Sequence, residues 1–213
     1  MQRIIRVGDG CVVGLAEARE PGAMPASPAE RRECAELAPA ARADYLAARL
    51  AARRALRHAG HEHGPAVTLR RRAGWPPLAF VSRPPRHPRP LPVALSLAHR
   101  DGRGAAALAP PGARVGVDLE RSGALHREQL RYFAGEGERE SGPSDGAALW
   151  ALKEAAWKAL GLAQDLPFHT LALEFDGARE LRAVRVADAR FAAHAVVVRP
   201  WPCHLVAVVR VDG

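Results

Sequence analysis

The run Pro110-Pro111-Gly112 constrains the fold of this chain more than any other feature. Neither proline can donate into a sheet ladder or continue a helix, and the glycine behind them breaks whatever element arrives. The 213-residue chain is thereby divided into an N-terminal half, 1–111, and a C-terminal half, 112–213. Each is long enough to bury a small core of its own.

The two halves read alike. In the first, "RIIRV" and "CVVGL" flank Gly8-Asp9-Gly10 and predict a hairpin. After a polar, proline-containing loop, residues 29–60 read as one or two helices, with Leu46, Leu50 and Leu56 inward and arginines on the other faces. "AVTLR" and "PLAFV" are strand-like, and "SRPPRHPRPLP" reads as a Pro/Arg loop that cannot pair in a sheet. "VALSLAH" and "GAAALA" predict paired strands around the turn "HRDGRG". In the second half a strand "RVGVDLE" leads to a helix around "HREQLRYFAGEGERE" and a second helix around "LWALKEAAWKALG". The strands "LALEF", "LRAVRV" and "HAVVVRPWPCHLVAVVRV", the last as two runs, close the chain. The expected class is α+β, as two similar α+β halves.

Composition narrows the partners. Hydrophobic residues at 48% and charged residues at 25% suit a globular protein, and the net charge of +8 favours an anionic partner. Segments such as "LRRRAG" and "RPPRHPRP" raise the alternative of a basic nucleic-acid-binding protein. Against it, no RRM, helix-turn-helix or zinc-finger pattern is present, and aromatic residues amount to only 5%. Cys11, Cys34 and Cys203 are odd in number and widely spaced, which predicts reduced thiols. No apolar run approaches the roughly 20 residues of a membrane helix, and the start lacks a signal-peptide core. The expectation is a cytoplasmic protein without membrane contact.

Of the 31 basic Lys and Arg residues only two are lysines, Lys153 and Lys158, and both fall in "LWALKEAAWKALG". Ser144 or Asp145 is a fitting N-cap there and Gly161 a C-cap. In that helix Trp150, Glu154 and Lys158 share one face, with Lys153 one position off it. Taken alone, the stretch reads as a solvated helix whose Glu154–Lys158 pair contributes about 0.2–0.5 kcal/mol.

Upstream, "VGVDLE" puts Asp118 and Glu120 on one side of a strand, where an unpaired carboxylate amid apolar residues would be costly. It reads either as a strand end passing into solvent or, with a third carboxylate, as an oxygen cage for Mg²⁺. His99, where "LSLAH" meets its turn, reads first as structural; beside a phosphate it would be a donor.

The order of these motifs carries more than any one of them. "VGVDLE" followed about 30 residues later by "WALKEAAWK" resembles the paired signatures of the 4′-phosphopantetheinyl transferase superfamily. "RYFAGEGERE" is similar to the segment between those signatures, and "GWPPLAF…LSLAH" to the upstream region. The length resembles the long, Sfp-type form, a pseudo-dimer of two halves, and not the short trimeric holo-acyl-carrier-protein synthases.

The resemblance implies transfer of the phosphopantetheine arm of coenzyme A to a serine of an acidic acyl or peptidyl carrier protein, releasing 3′,5′-ADP, by a monomer. Asp118, Glu120 and Glu154 would hold Mg²⁺, and Glu154 or a water it orients would act as base. Lys158 would contact the transferred phosphate, and Lys153 the pyrophosphate or the carrier. His99 would contact phosphate, Arg49 and Arg53 (or Arg54) the 3′-phosphate, and Gly74, Trp75 and Pro76 the adenine end. Ala98 and Trp75 depart from the family pattern, removing a hydroxyl and a basic side chain. The segment "SGALHREQLRYF" is the expected docking surface. A relative that binds coenzyme A or a carrier without turnover is the remaining alternative.

Overall fold

Apolar residues around a glycine turn pair the first two strands, β1 (Ile4–Val7) and β2 (Cys11–Glu17), in antiparallel register from Ile4↔Gly14 to Val7↔Cys11. The computed structural model describes residues 4–8, 10–61, 67–70, 78–81, 89–125, 127–162 and 167–212. Gly74, Trp75 and Pro76 lie outside them, as does the stretch 82–88. The described chain falls into two units, 1–112 and 113–213.

In the first unit two helices follow β2. Helix α1 (Pro28–Glu36) starts on Ser27, whose hydroxyl accepts the Glu30 N–H, with proline in its first turn. Helix α2 (Pro39–His58) is longer and buries Ala47, Ala51, Ala55 and Leu56. Strands β3 (Val67–Arg70), β4 (Leu78–Val81) and β5 (Arg89–Pro90) form one small sheet. The Pro/Arg stretch therefore does pair at its end, against expectation. Pro90 sits opposite Phe80 on an edge strand, where a missing N–H interrupts no ladder. Strands β6 (Ala94–Arg100) and β7 (Arg103–Ala109) meet at Asp101 and Gly102, both at positive φ, as a two-residue hairpin turn requires. The larger sheet runs β1-β2-β7-β6. Helix α2 packs on β2 and β7 because Gly14 and Gly104 carry no side chain. A Cβ at either would collide with the backbone of Ala51 or Ala47. Leu50 and Leu56 point into this core as expected, and Arg49 is also buried, at 4% exposure, against Glu33 and Tyr45.

In the second unit β8 (Arg114–Arg121) opens the sheet. The expected helix over 126–140 is broken: a 3-10 turn covers 127–132, and α3 (Glu136–Ser141) begins only after Gly135. Glu138 reaches back to accept the Gly135 N–H at 2.6 Å, a capping-box bond that starts a new helix there. Helix α4 (Gly146–Leu160) is capped by Asp145, whose side chain accepts the Ala147 N–H, and ends on Gly161 in the left-handed region. Four strands follow: β9 (Leu171–Phe175), β10 (Leu181–Val186), β11 (Ala189–Trp201) and β12 (His204–Val211). The sheet order is β8-β12-β11-β10-β9, all antiparallel. Its core joins Leu149, Leu152, Leu171, Leu205 and Val209 to the alanines of α4. No helix among the described residues is long and apolar enough to cross a membrane.

Candidate functional site

The second unit concentrates the chemistry. On β8, period-two alternation turns Gly116, Asp118 and Glu120 to the same side. Gly116 makes the helix contact possible: a Cβ there would strike the carbonyl of Ala155 and the N–H of Ala159. Helix α4 therefore lies directly on the strand, with Lys158 of its last turn at Asp118. Asp118 is 6% and Glu120 8% exposed, so both are withdrawn from bulk water.

Lys158 spans strand and helix. Its ammonium donates to Asp118 Oδ1 at 2.6 Å and to the Val117 carbonyl at 3.2 Å, and it lies 3.6 Å from Glu154 Oε2. Asp118, Glu154 and Lys158 are thus brought together, with Glu120 next on the same side of β8. The second oxygen of Asp118, Oδ2, is buried with no hydrogen-bond partner. Such an atom is costly unless a cation or donor meets it, so the donor set fits a hard, oxygen-seeking ion such as Mg²⁺. Among the described residues no three acidic, histidine or cysteine side chains converge closely enough to enclose a metal by themselves. Oxygens from a bound phosphate would have to complete the shell, as is usual for Mg²⁺.

Lys153 goes elsewhere than the resemblance implies. At 1% exposure it is one of the largest fully buried side chains, and its ammonium donates to both oxygens of Glu138 at 3.0 Å. Burial pushes its pKa down, and the Glu138 charge opposes that shift. The ammonium also lies 5.7 Å from the centre of the Phe168 ring. Trp150 and Trp157 flank Phe168 with ring centres 4.8 and 5.2 Å away, and Phe133 meets Trp150 edge-on at 4.9 Å. Glu138 was not singled out from sequence. The available signal was its place three residues after a glycine N-cap.

The first unit holds the remaining candidates. His99, about half exposed on β6, has Nδ1 3.5 Å from Asp44 Oδ2, while Asp44 Oδ1 accepts the Gly102 N–H at 2.6 Å. Arg49 donates to Glu33 at 3.2 Å and stacks over Tyr45, yet its Nη1 is buried without a partner. Arg53 is bound to Glu30 at 3.3 Å and to the carbonyls of Gly22 and Met24, and burial lowers its pKa. Arg54 is clamped by Glu20 and donates to the Leu15 carbonyl at 2.7 Å. Both expected phosphate-binding arginines are therefore held by internal carboxylates.

No curated relative matches the chain. Residues 114–206, which run from the start of β8 into β12 and contain Asp118, Glu120, Glu138, Lys153, Glu154 and Lys158, match the family model of the 4′-phosphopantetheinyl transferase superfamily.

Proposed function

We propose that the protein transfers the 4′-phosphopantetheine arm of coenzyme A to a serine of an apo acyl or peptidyl carrier protein. The observation that carries this reading is the Asp118–Lys158–Glu154 constellation, with the orphaned Asp118 Oδ2, inside the segment that matches the superfamily. A pyrophosphate must be bound and cleaved, so the site needs carboxylates for a divalent ion and a cation for the moving charge.

Asp118, Glu120 and Glu154 are the residues that would hold Mg²⁺. When bound, the ion supplies electrostatic neutralisation of the pyrophosphate. Glu154, about a third exposed, is open to an incoming hydroxyl and takes the proton of the carrier serine. The serine oxygen forms a bond to the phosphorus that bears the pantetheine arm. The bond from that phosphorus to the bridging oxygen breaks, and 3′,5′-ADP leaves. Lys158, a compact charge on a flexible stem, stabilises the phosphoryl oxygens as their charge grows.

His99, Arg49 and Arg53 of the first unit are the proposed contacts for the coenzyme A phosphates, with Gly74, Trp75 and Pro76 at the adenine. The exposed Arg131 and Tyr132, joined by a 2.8 Å hydrogen bond, lie on the segment 122–133 that we assign to an acidic carrier. The chain is read as a monomeric pseudo-dimer. Strands β2, β7 and β6 follow one another in the first sheet as β8, β12 and β11 do in the second. A helix rests on a strand glycine in each, with Leu15 bound by Arg54 as Val117 is by Lys158.

Incubation with coenzyme A, Mg²⁺ and an apo carrier tests the proposal. A mass gain of one phosphopantetheine arm on the carrier is expected. No gain on any of several acyl and peptidyl carriers overturns it.

A further inference from the structure

The transfer steps proposed above use neither Lys153 nor Glu138, although the two form a deeply enclosed ion pair, at 1% and 4% side-chain exposure. Glu138 is saturated. Its Oε1 accepts the Leu173 N–H at 2.8 Å, its Oε2 the Gly135 N–H at 2.6 Å, and both accept from Lys153. One carboxylate therefore ties α4 to the start of α3 and to β9.

Stability alone is a poor account of this pair. Two charges withdrawn from water recover their desolvation cost only in part, and an apolar pair of the same shape often does as well. What the pair does supply is direction. The buried surface of α4 sets six alanines (Ala147, Ala148, Ala151, Ala155, Ala156, Ala159) beside Leu149 and Leu152, and small, similar knobs define the rotation of a helix less sharply than large ones. Gly116 lets the helix approach β8 but does not set how it is turned. With side chains the helix is about 5–6 Å in radius, so a rotation of about 20° would move the tip of Glu154 by about 2 Å. Catalytic groups tolerate much less than that. Lys153 immediately precedes Glu154, and its bonds to both oxygens of Glu138 limit how far the helix can turn.

We propose that the buried Lys153–Glu138 pair is the positioning device of the site: it fixes the rotation of α4 so that Glu154 and Lys158 face Asp118. This inference rests on the transferase reading. Neither residue touches substrate; both act through α4.

The test compares the wild type with Glu138→Asp, which keeps the charge pair but shortens one arm, and with the neutral double variant Lys153→Met/Glu138→Gln. Thermal unfolding identifies the temperature at which each is fully folded. There, Mn²⁺ binding in the presence of coenzyme A is read from the electron paramagnetic resonance of the free ion, alongside carrier modification. The expected result is Mn²⁺ affinity lowered by about 10- to 100-fold in the folded variants, the usual effect of losing a group that orients metal ligands. The kcat should fall while KM for the carrier stays the same. Should the double variant not fold, Glu138→Asp alone decides. Folded Glu138→Asp with Mn²⁺ affinity and kcat within about twofold of wild type, below the usual range for such a group, overturns the inference while the transferase reading stands. A wild type that neither binds Mn²⁺ with coenzyme A nor modifies any carrier overturns the reading itself, and the inference with it.

Discussion

The Lys158 ammonium lies 2.6 Å from Asp118 Oδ1 and 3.6 Å from Glu154 Oε2, so a single cation links the carboxylate of β8 to that of α4. Lys158→Ala is expected to lower carrier modification by about 100- to 1,000-fold, the usual effect of removing one preorganised charge stabiliser. Because the Asp118 carboxylate, 9% exposed, would be left without its cation, a loss of stability of about 1–3 kcal/mol is expected beside the loss of activity. Single-turnover assays and denaturant unfolding on the same preparation separate the two effects.

Glu154→Gln should abolish turnover and leave unfolding unchanged, since Glu154 stands on a partly solvated face of α4. Asp118→Ala should weaken the Mg²⁺-dependent binding of coenzyme A, measured by titration calorimetry with and without chelator. Binding that ignores both the substitution and the chelator would remove Asp118 from the metal site.

Gly116→Ala acts through packing. The new Cβ meets backbone atoms of Ala155 and Ala159, which cannot swing aside as a side chain would. A destabilisation of about 1–3 kcal/mol is expected, as for other overpacked sites. Activity should fall with it, because α4 must lift from β8. An unchanged urea midpoint together with full activity would show that the helix has room to move.

The turn between β9 and β10 carries an acid-sensitive contact. The backbone N–H of Glu180, then Arg182 and the Ala178 N–H, hold the Asp176 carboxyl below its ordinary value of 3.8. A carboxyl lowered in the folded state contributes stability above its unfolded value, and that contribution is lost as pH falls through the lowered one. Protection of the Ala178 and Glu180 amides, measured against their intrinsic exchange rates, should therefore be lost only below pH 3.8. Asp176→Asn should remove this acid-dependent loss of protection.

Much of the fold is legible locally. The β1–β2 and β6–β7 hairpins follow from short apolar runs around glycine turns, and both caps of α4 from Asp145 and Gly161. Period-two spacing puts Asp118 and Glu120 on one side of a strand and period-3.6 spacing puts Glu154 and Lys158 on one helix face, but that the two meet was implied only by the resemblance to the 4′-phosphopantetheinyl transferases. What could not be read is long-range. Glu138 and Lys153 are 15 residues apart, and Glu138 is embedded in the charged run "GEGERE", where each glutamate looks solvated. Its burial depends on Leu173, still farther along the chain. Arg49 is a parallel case: on an arginine-rich helix nothing local marks a guanidinium that lies against Glu33 and Tyr45. The break at Gly135 depended on a capping-box bond that competes with helix continuation across a glycine.

The same two lysines give the protein an unusual surface chemistry. Lys153 is sealed at 1% side-chain exposure, while Lys158 stands at 32%. An amine-selective reagent therefore meets just one accessible side-chain amine in the described fold, and that amine lies in the proposed phosphate site. Acylating or reductively alkylating reagents become footprinting probes for that site. An isotope-labelled methyl group placed on Lys158 by reductive alkylation, which keeps its charge, would report on ligand binding without any engineered handle.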